Sequence, residues 1–194
     1  MRKAMIERKT SETNVEVSLV IDGGGNYEIE TGVAFLDHML SLMSRHGLFD
    51  IRIKAEGDLA VDSHHTVEDV GLCLGRAFLQ ALGSKEAISR YGSARVPMNE
   101  ALAQVDVDIS SRPVMVFHGK LPGAKVGQFD AELTQEFLHA FANAAQVTLH
   151  VNLAYGDNLH HCIEAVFKAL GRALAEAARL DQRIKGVMST KGKL

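Results

Sequence analysis

Two histidine doublets are the residues of this sequence whose types and spacing most clearly indicate chemistry. The first begins at His64 and reads HHTVEDVGLCLGRAF, and the second begins at His160 and reads HHCIEAVFKALGRAL. In both copies a Glu follows the first His by four positions, and Leu-Gly-Arg-Ala begins ten positions after it. Two copies with the same downstream spacing indicate an internal duplication, with halves of about 95 residues each.

Each doublet has the composition of a metal-binding motif. On a helix, residues three or four positions apart share a face, so either His of a doublet can lie beside the motif Glu. Adjacent helical residues point about 100° apart, so the two members of one doublet are expected to bind different ions. The pattern therefore predicts two metal positions, each taking one His from each doublet. The candidate ligands are His64, His65 and Glu68, His160, His161 and Glu164, with His38 and His139 from the preceding helices.

The ligand types narrow the choice of metal. Three imidazoles and one carboxylate per ion could close a tetrahedral zinc site, which would be structural and inert. An octahedral ion such as Mn²⁺ would keep two positions open for water or substrate. Nitrogen and oxygen ligands without sulfur favour Mn, Fe or Co over structural Zn, with zinc remaining an alternative. The isolated histidines His46, His118 and His150 are interpreted as structural residues.

The elements that must position these residues follow from hydrophobic periodicity. Strands are predicted at Val15–Ile21, Tyr27–Thr31 and Phe49–Ala55, and again at Ala103–Ile109, Val114–Gly119 and Val147–Ala154. Helices are predicted at Phe35–Arg45, His65–Leu82, Leu133–Ala145 and His161–Leu180. Each half thus runs strand, strand, helix, strand, helix. This order predicts an α+β fold of two duplicated half-domains, each a mostly antiparallel sheet with helices packed on one face.

The two halves are expected to form one compact fused domain. We place the first half at residues 1–94 and the second at 95–194, with the junction around Gly92–Pro97. Because that junction is short, the halves should pack against each other rather than swing.

Composition indicates a globular chain with an ordinary core. The apolar share is 46%, the charged share 23% and the net charge −3 with neutral histidines, which argues against nucleic acid as a partner. Cys73 and Cys162 lack the spacing of a disulfide framework and are interpreted as free thiols in a reducing compartment. No signal-like segment opens the chain, and no apolar run approaches the ~20 residues of a membrane span. We therefore expect a cytoplasmic protein with no membrane contact.

The motifs and their order resemble the imidazoleglycerol-phosphate dehydratase family. The matching segments lie between residues 8 and 192 and are RKTSET, FLDHML, DSHHTVEDVG, RYG, HHCIEAVFKALGRAL and MSTKG. The resemblance implies a hydro-lyase of histidine biosynthesis that dehydrates imidazole glycerol phosphate to imidazole acetol phosphate. It also implies a duplicated α+β fold and a homo-oligomer of 24 subunits, with active sites between subunits.

The same resemblance implies two Mn²⁺ ions per active site. One ion would be held by His38, His65, Glu68 and His161, and the other by His64, His139, His160 and Glu164. The chain departs from the family pattern at Asn99, where Asp is usual, at Ser111, where Gly is usual, and at Leu42, where some members have Gln. These departures put single polar contacts near Arg112 in doubt, and they leave the metal ligands intact.

The implied reaction indicates which further residues to examine. Dehydration removes an unactivated C–H proton and a hydroxyl, so it needs an electron sink. The substrate's own imidazole, bridged by two cations as imidazolate, could serve, with the ions as Lewis acids and template. Glu12 is the candidate for contacting the glycerol hydroxyls and assisting proton transfer, beside the motif carboxylates Glu68 and Glu164.

Binding of the phosphate group requires cationic or hydroxyl donors. The candidates are Arg90, Arg112, Lys168, Ser189 and Lys191. Lys168 follows His161 by seven residues, which places it on the same helix face. Its counterpart in the first repeat is Leu72, so the duplication is symmetric in metal ligands and asymmetric in phosphate ligands.

Two other functions fit a chain with two metal-binding motifs. One is a different dinuclear metalloenzyme, such as a hydrolase that activates water. The other is a non-enzymatic metal-binding shell protein. The phosphate candidates and the full-length resemblance disfavour the hydrolase, and the acidic clusters that a storage cavity requires are missing from the sequence.

Overall fold

The computed structural model describes all 194 residues as two four-stranded sheets, a short two-stranded ribbon and four helices. The first half contains β1 (Lys3–Lys9), β2 (Thr13–Val20), β3 (Tyr27–Glu30), α1 (Ala34–Gly47), β4 (Asp50–Gly57) and α2 (His64–Leu82). The second half contains β5 (Tyr91–Met98), β6 (Ala101–Asp108), β7 (Val114–His118), the ribbon strands β8 (Lys125–Val126) and β9 (Phe129–Asp130), α3 (Leu133–Ala145), β10 (Thr148–Tyr155) and α4 (Leu159–Ala178).

The two large sheets have the same topology. Their strand orders are β1-β2-β4-β3 and β5-β6-β10-β7. Three strands of each sheet pair antiparallel, and the last strand, β3 or β7, runs parallel to its neighbour. The predicted α+β fold of two half-domains with mostly antiparallel sheets is therefore confirmed.

The first strand of each half was not predicted from the sequence. β5 contains the residues Gly92–Pro97 that were assigned to the junction, and it also contains the proposed boundary between residues 94 and 95. The second sheet thus begins before the predicted junction. Pro97 is tolerated because β5 is the edge strand of its sheet, where a missing N–H costs the least. The second sheet begins at Tyr91, and residues 83–90 connect the halves.

The helices lie between the sheets. In the first half α2 packs on β1 and β2, and in the second half α4 packs on β5 and β6. Each of these helices also packs on a helix of the other half, α2 against α3 and α4 against α1. The result is one continuous core of 53 buried residues shared by both halves. None of the four helices is both long and apolar enough to cross a membrane.

The glycine of the repeated Leu-Gly-Arg-Ala segment explains how these helices cross so closely. A Cβ atom on Gly75 would lie 2.5 Å from the Phe141 carbonyl oxygen of α3, and one on Gly171 would lie 2.4 Å from the Met43 carbonyl oxygen of α1. A real side chain cannot approach backbone so closely, so only glycine fits either position. The repeated segment therefore sets the two helix crossings, α2 with α3 and α4 with α1.

A second repeated glycine sets the position of each doublet. A Cβ atom on Gly57 would lie 2.0 Å from Thr66 Oγ1, and one on Gly156 would lie 2.4 Å from Cys162 Sγ. Thr66 and Cys162 are the residues that directly follow the two doublets. The first turns of α2 and α4 are thus pressed against the ends of the central strands β4 and β10, which fixes where both histidine pairs emerge.

Candidate metal centre

Three of the predicted ligands converge at the start of α4. His38, His160 and Glu164 can each offer a ligand atom, and these atoms all lie within 4.8 Å of one another. The Glu164 Oε2 atom is 3.2 Å from His160 Nε2 and 3.8 Å from His38 Nε2. The Phe35 ring packs edge-on against the His160 ring, with 5.1 Å between centroids. We call these three ligands the α4 cluster.

The carboxylate of the α4 cluster is buried and carries its charge beside Lys168. The Lys168 Nζ atom lies 2.7 Å from Glu164 Oε1 and 3.3 Å from Met98 Sδ. Burial by itself would raise the pKa of Glu164, but the hydrogen bond and charge of Lys168, with the charges of His38 and His160, lower it on balance. Glu164 is therefore an ionised candidate ligand that already has a cation beside it.

The position of His38 favours a different division of ligands from the one that the resemblance implied. That division placed His38 with His65, Glu68 and His161. Within the chain His38 instead lies with His160 and Glu164. The reason is tertiary, since α1 packs on α4 of the other half rather than on the helix that follows it in sequence.

The second histidine of each doublet is held by a carboxylate on its Nδ1 atom. His65 Nδ1 lies 3.0 Å from Asp58 Oδ2, and His161 Nδ1 lies 2.7 Å from Glu100 Oε2. The hydrogen bond with Asp58 raises the pKa of His65. The Asn158 N–H and then the His161 ring donate to Glu100, and they lower its pKa to about 2. In both rings the Nε2 atom, which is the usual ligand position, is left on the side away from the carboxylate.

Neither carboxylate was selected from the sequence as a functional residue. Asp58 belongs to a glycine-aspartate pair, Gly57-Asp58, that recurs before the second doublet as Gly156-Asp157. The repetition marks Asp58 in the sequence but does not indicate what it does. Glu100 is 61 residues from His161 in the chain, and nothing in the local sequence connects the two.

Glu12 lies on the ligand side of His65. Its Oε1 atom is 3.9 Å from His65 Nε2. The turn that carries it is ordered by Thr10 Oγ1, which accepts hydrogen bonds from the backbone N–H groups of Glu12 at 3.1 Å and of Thr13 at 3.0 Å. The Thr13 hydroxyl and Arg8 both bind Asp69 of α2. The RKTSET segment thus fastens the Glu12 turn to the helix that begins with the first doublet.

The remaining predicted ligands, His64, Glu68 and His139, form no second group of this kind within the chain. No other three His, Cys, Asp or Glu side chains of the chain bring their ligand atoms within 4.8 Å of one another. The helix crossings explain why only one group forms. The Phe141 carbonyl oxygen of α3 lies against Gly75 as the Met43 carbonyl oxygen of α1 lies against Gly171, so Phe141 and Met43 are equivalent positions. Counted from these contacts, the residue of α3 equivalent to His38 is Glu136, and His139 lies about one turn further along.

Four of the five predicted phosphate ligands line one cavity. This cavity, which we call the basic pocket, has a volume of about 780 Å³ and also contains Lys193. Arg90 Nε lies 2.7 Å from Asp108 Oδ1, and this hydrogen bond raises the pKa of the guanidinium. Arg112 has an exposed side chain with its Nη2 atom 4.0 Å from Asp108. The four residues brought together are Arg90, Arg112, Ser189 and Lys191.

The basic pocket and the α4 cluster lie at opposite ends of the same helix. The Arg90 backbone N–H donates to the Ala177 carbonyl oxygen in the last turn of α4, whereas Glu164 lies in its first turns. At 1.5 Å per residue the two places are roughly 20 Å apart along the helix. Lys168, the fifth phosphate candidate, is beside Glu164 and does not line the basic pocket.

Comparison with known proteins finds relatives that match the whole chain. The sequence model of the imidazoleglycerol-phosphate dehydratase family matches residues 31–174. The chain is 60% identical to imidazoleglycerol-phosphate dehydratase of Pelobacter propionicus, covering 100% of this chain and 99% of the relative. It is 57% identical to that of Bacillus subtilis, covering 100% of both.

Solved structures show the same fold. The imidazoleglycerol-phosphate dehydratase structure from Staphylococcus aureus has a TM-score of 0.84 at 40% identity, covering 92% of this chain and 99% of the other. The Pyrococcus furiosus structure, in complex with (S)-C348, has a TM-score of 0.85 at 37% identity, covering 97% and 100%. The chain therefore belongs to the imidazoleglycerol-phosphate dehydratase family of enzymes.

Proposed function

We propose that this enzyme dehydrates imidazole glycerol phosphate to imidazole acetol phosphate, a step of histidine biosynthesis, with two Mn²⁺ ions at each active site. The observation that carries the proposal is the α4 cluster, in which His38, His160 and Glu164 converge within 4.8 Å. Membership of the family supplies the reaction, and the cluster supplies a reason why that reaction would depend on metal.

The residues of the site fit a manganese-type centre. The donor atoms are imidazole nitrogens and carboxylate oxygens, which suit Mn²⁺ in octahedral geometry. The one thiol that follows a doublet, Cys162, is buried, and burial raises its pKa; Cys73 is likewise buried, which raises its pKa to about 11. Because a thiol binds metal as thiolate, both cysteines are unsuited as ligands. The proposed ligand set therefore contains no sulfur, as a hard or borderline ion prefers.

The chain's own residues divide the remaining work. When bound, the ions would act as Lewis acids that stabilise negative charge on the substrate's imidazole. Glu12 is exposed, and its turn is fixed to α2 through Thr13 and Asp69. A carboxylate held there, 3.9 Å from His65 Nε2, is placed to accept a proton from the substrate's carbon chain or to return one to the departing hydroxyl.

The basic pocket provides the phosphate-binding side of the proposed site. Arg90 is held in place by Asp108, with Nε–Oδ1 at 2.7 Å and Nη2–Oδ2 at 3.1 Å. Arg112, Ser189 and Lys191 extend charge and hydroxyl donors into the same cavity. Guanidinium and ammonium groups bind phosphate oxygens through charge-assisted hydrogen bonds.

The separation of the two regions supports an active site between subunits. A substrate whose imidazole and phosphate are joined by a three-carbon chain is much shorter than the roughly 20 Å between Glu164 and the end of α4. One copy of the chain would therefore bind the imidazole, and the basic pocket of a neighbouring copy would bind the phosphate together with Lys168 of the first copy. This arrangement accords with the homo-oligomer of 24 subunits that the sequence resemblance implies, in which every interface repeats by symmetry.

Replacing Lys168 by Ala is expected to weaken substrate binding and to leave the metal content unchanged. Lys168 is paired with Glu164 Oε1 at 2.7 Å, whereas Glu164 Oε2 faces His38 and His160, so loss of the lysine removes no ligand atom. A charge-assisted contact to phosphate contributes about 1.5–3 kcal/mol, so the KM should rise roughly 10- to 150-fold. Steady-state kinetics and metal analysis would check both effects.

The matched control is Arg172→Ala, one turn further along α4. Arg172 is exposed and lines a different cavity, so its removal should change neither the KM nor the metal content. If the Lys168 variant lost bound metal, the lysine would be a support for the ion rather than a phosphate ligand.

The proposed reaction is tested by identifying the product. Incubation of the full-length protein with Mn²⁺ and imidazole glycerol phosphate should yield a compound lighter than the substrate by one water, detected by mass spectrometry. Release of inorganic phosphate in place of that compound would indicate a hydrolase and would contradict the proposal.

A further inference from the structure

We propose that Asp58 and Glu100 are positioning residues. Each fixes the second histidine of one doublet for metal binding, and the two residues belong to different elements of their half-domains. The consequence is that Glu12, the counterpart of Glu100, is left free to act on the substrate. The inference rests on the proposed function, because it assumes that His65 and His161 bind ions.

Glu12 and Glu100 occupy equivalent positions in the duplicated fold. Each is the last residue of a hairpin turn, directly before the first residue of β2 or β6. Those first residues, Thr13 and Ala101, are both buried. Thr13 pairs with Gly57, the last residue of β4. Ala101 is likewise next to Gly156, the residue after β10, because a Cβ atom on Gly156 would lie 2.7 Å from Ala101 Cβ. The two turns therefore meet the start of α2 and the start of α4 in the same way.

In the second half the turn carboxylate is fully engaged. Glu100 Oε2 lies 2.7 Å from His161 Nδ1, and Glu100 Oε1 accepts the Asn158 backbone N–H at 2.8 Å. Both oxygens are thus used to hold the histidine and the residue that caps α4.

In the first half a different residue does this work. The Nδ1 atom of His65 is bound by Asp58 at 3.0 Å, while Glu12 lies 3.9 Å away on the Nε2 side. The counterpart of Asp58 in the second repeat is Asp157, which is exposed and is not among the hydrogen-bond or ion-pair partners of its doublet. The ring is therefore held by the turn residue Glu100 in the second half and by Asp58 in the first half, where the turn residue Glu12 lies on the Nε2 side.

The physical effect of such a carboxylate is to choose the tautomer and orientation of the ring. A histidine that donates from Nδ1 presents the lone pair of Nε2 to a metal ion, and the carboxylate makes that nitrogen more basic. Loss of an outer partner of this kind weakens metal binding by about 10- to 100-fold. A residue that only supported the local fold would change stability without changing ion affinity selectively.

Mn²⁺ titration of metal-depleted, full-length protein tests the inference. The variants are Asp58→Ala and Glu100→Ala, with Asp58→Asn and Glu100→Gln as conservative partners whose amide oxygen can still accept from Nδ1. Both Ala variants should bind Mn²⁺ about 10- to 100-fold more weakly, and the amide variants should recover part of that loss. Saturating Mn²⁺ should restore kcat in all four, because each residue is proposed to act through a histidine and not on the substrate.

Asp157→Ala is the matched control and should bind Mn²⁺ as the unmodified protein does. Failure of the unmodified protein to bind Mn²⁺ would overturn the proposed function itself. Tight binding by the unmodified protein together with unchanged affinity in both Ala variants would overturn only the positioning role. Glu100→Ala also removes the acceptor for the Asn158 N–H, so thermal unfolding without metal is measured beside it. If that variant fails to fold, Asp58→Ala decides, since it removes a ring contact alone.

Discussion

Replacing Glu164 or His160 by Ala is expected to remove an ion and nearly all dehydration activity. Both residues belong to the α4 cluster, in which Glu164 Oε2 lies 3.2 Å from His160 Nε2. Loss of a Lewis acid costs several kcal/mol of transition-state stabilisation, so kcat should fall by at least about 10³-fold. Metal analysis and steady-state kinetics on the purified variants would measure both losses.

His46→Ala is the control for these variants. His46 lies eight residues after His38 on the same helix, but it is exposed and lines a separate cavity with Arg95 and Arg172. Its removal should leave metal content and kcat unchanged. Normal metal content in Glu164→Ala and His160→Ala would show that the α4 cluster does not hold an ion.

Mixing two inactive variants is expected to restore activity. If the ligands come from one chain and the phosphate pocket from its neighbour, co-expression of Glu164→Ala with Arg112→Glu yields some sites in which both regions are intact. Random assembly of equal amounts would give about a quarter of the normal activity, because each interface draws its two sides independently. Specific activity of the co-purified oligomer is the measurement.

The control for mixing is a pair of variants altered in the same region. Co-expression of Glu164→Ala with His160→Ala damages the α4 cluster in every chain, so no interface can be complete. If the first pair also stayed inactive while forming a mixed oligomer, the ligands and the phosphate pocket would not be shared between subunits.

Much of the fold was predictable because its periodicities are strong. The helices α2 and α4 have nearly continuous apolar faces and begin at the doublets, so their type and starting points could be predicted. The strands β1 and β5 were missed for a physical reason. Both are edge strands, where one face and one row of backbone groups meet solvent, so charged residues in β1 and Pro97 in β5 are tolerated there.

The site was predictable in residue type and less so in arrangement. Spacing alone indicated that His160 and Glu164 share a helix face, and they do. The placement of His38 depends on α1 packing against α4, a tertiary contact that the order of elements does not reveal. The pairing of Lys168 with Glu164 could have been predicted, because residues four apart on a helix are neighbours.

The central claim is that dehydration depends on ions held by the histidine and glutamate motifs. The most direct test is to strip the protein with a chelator and titrate Mn²⁺ back while following conversion of imidazole glycerol phosphate. The account predicts no product without metal, and a rate that rises with bound Mn²⁺ and levels off at about two ions per chain, as a dinuclear site requires. A full rate of product formation in the metal-free protein would contradict it.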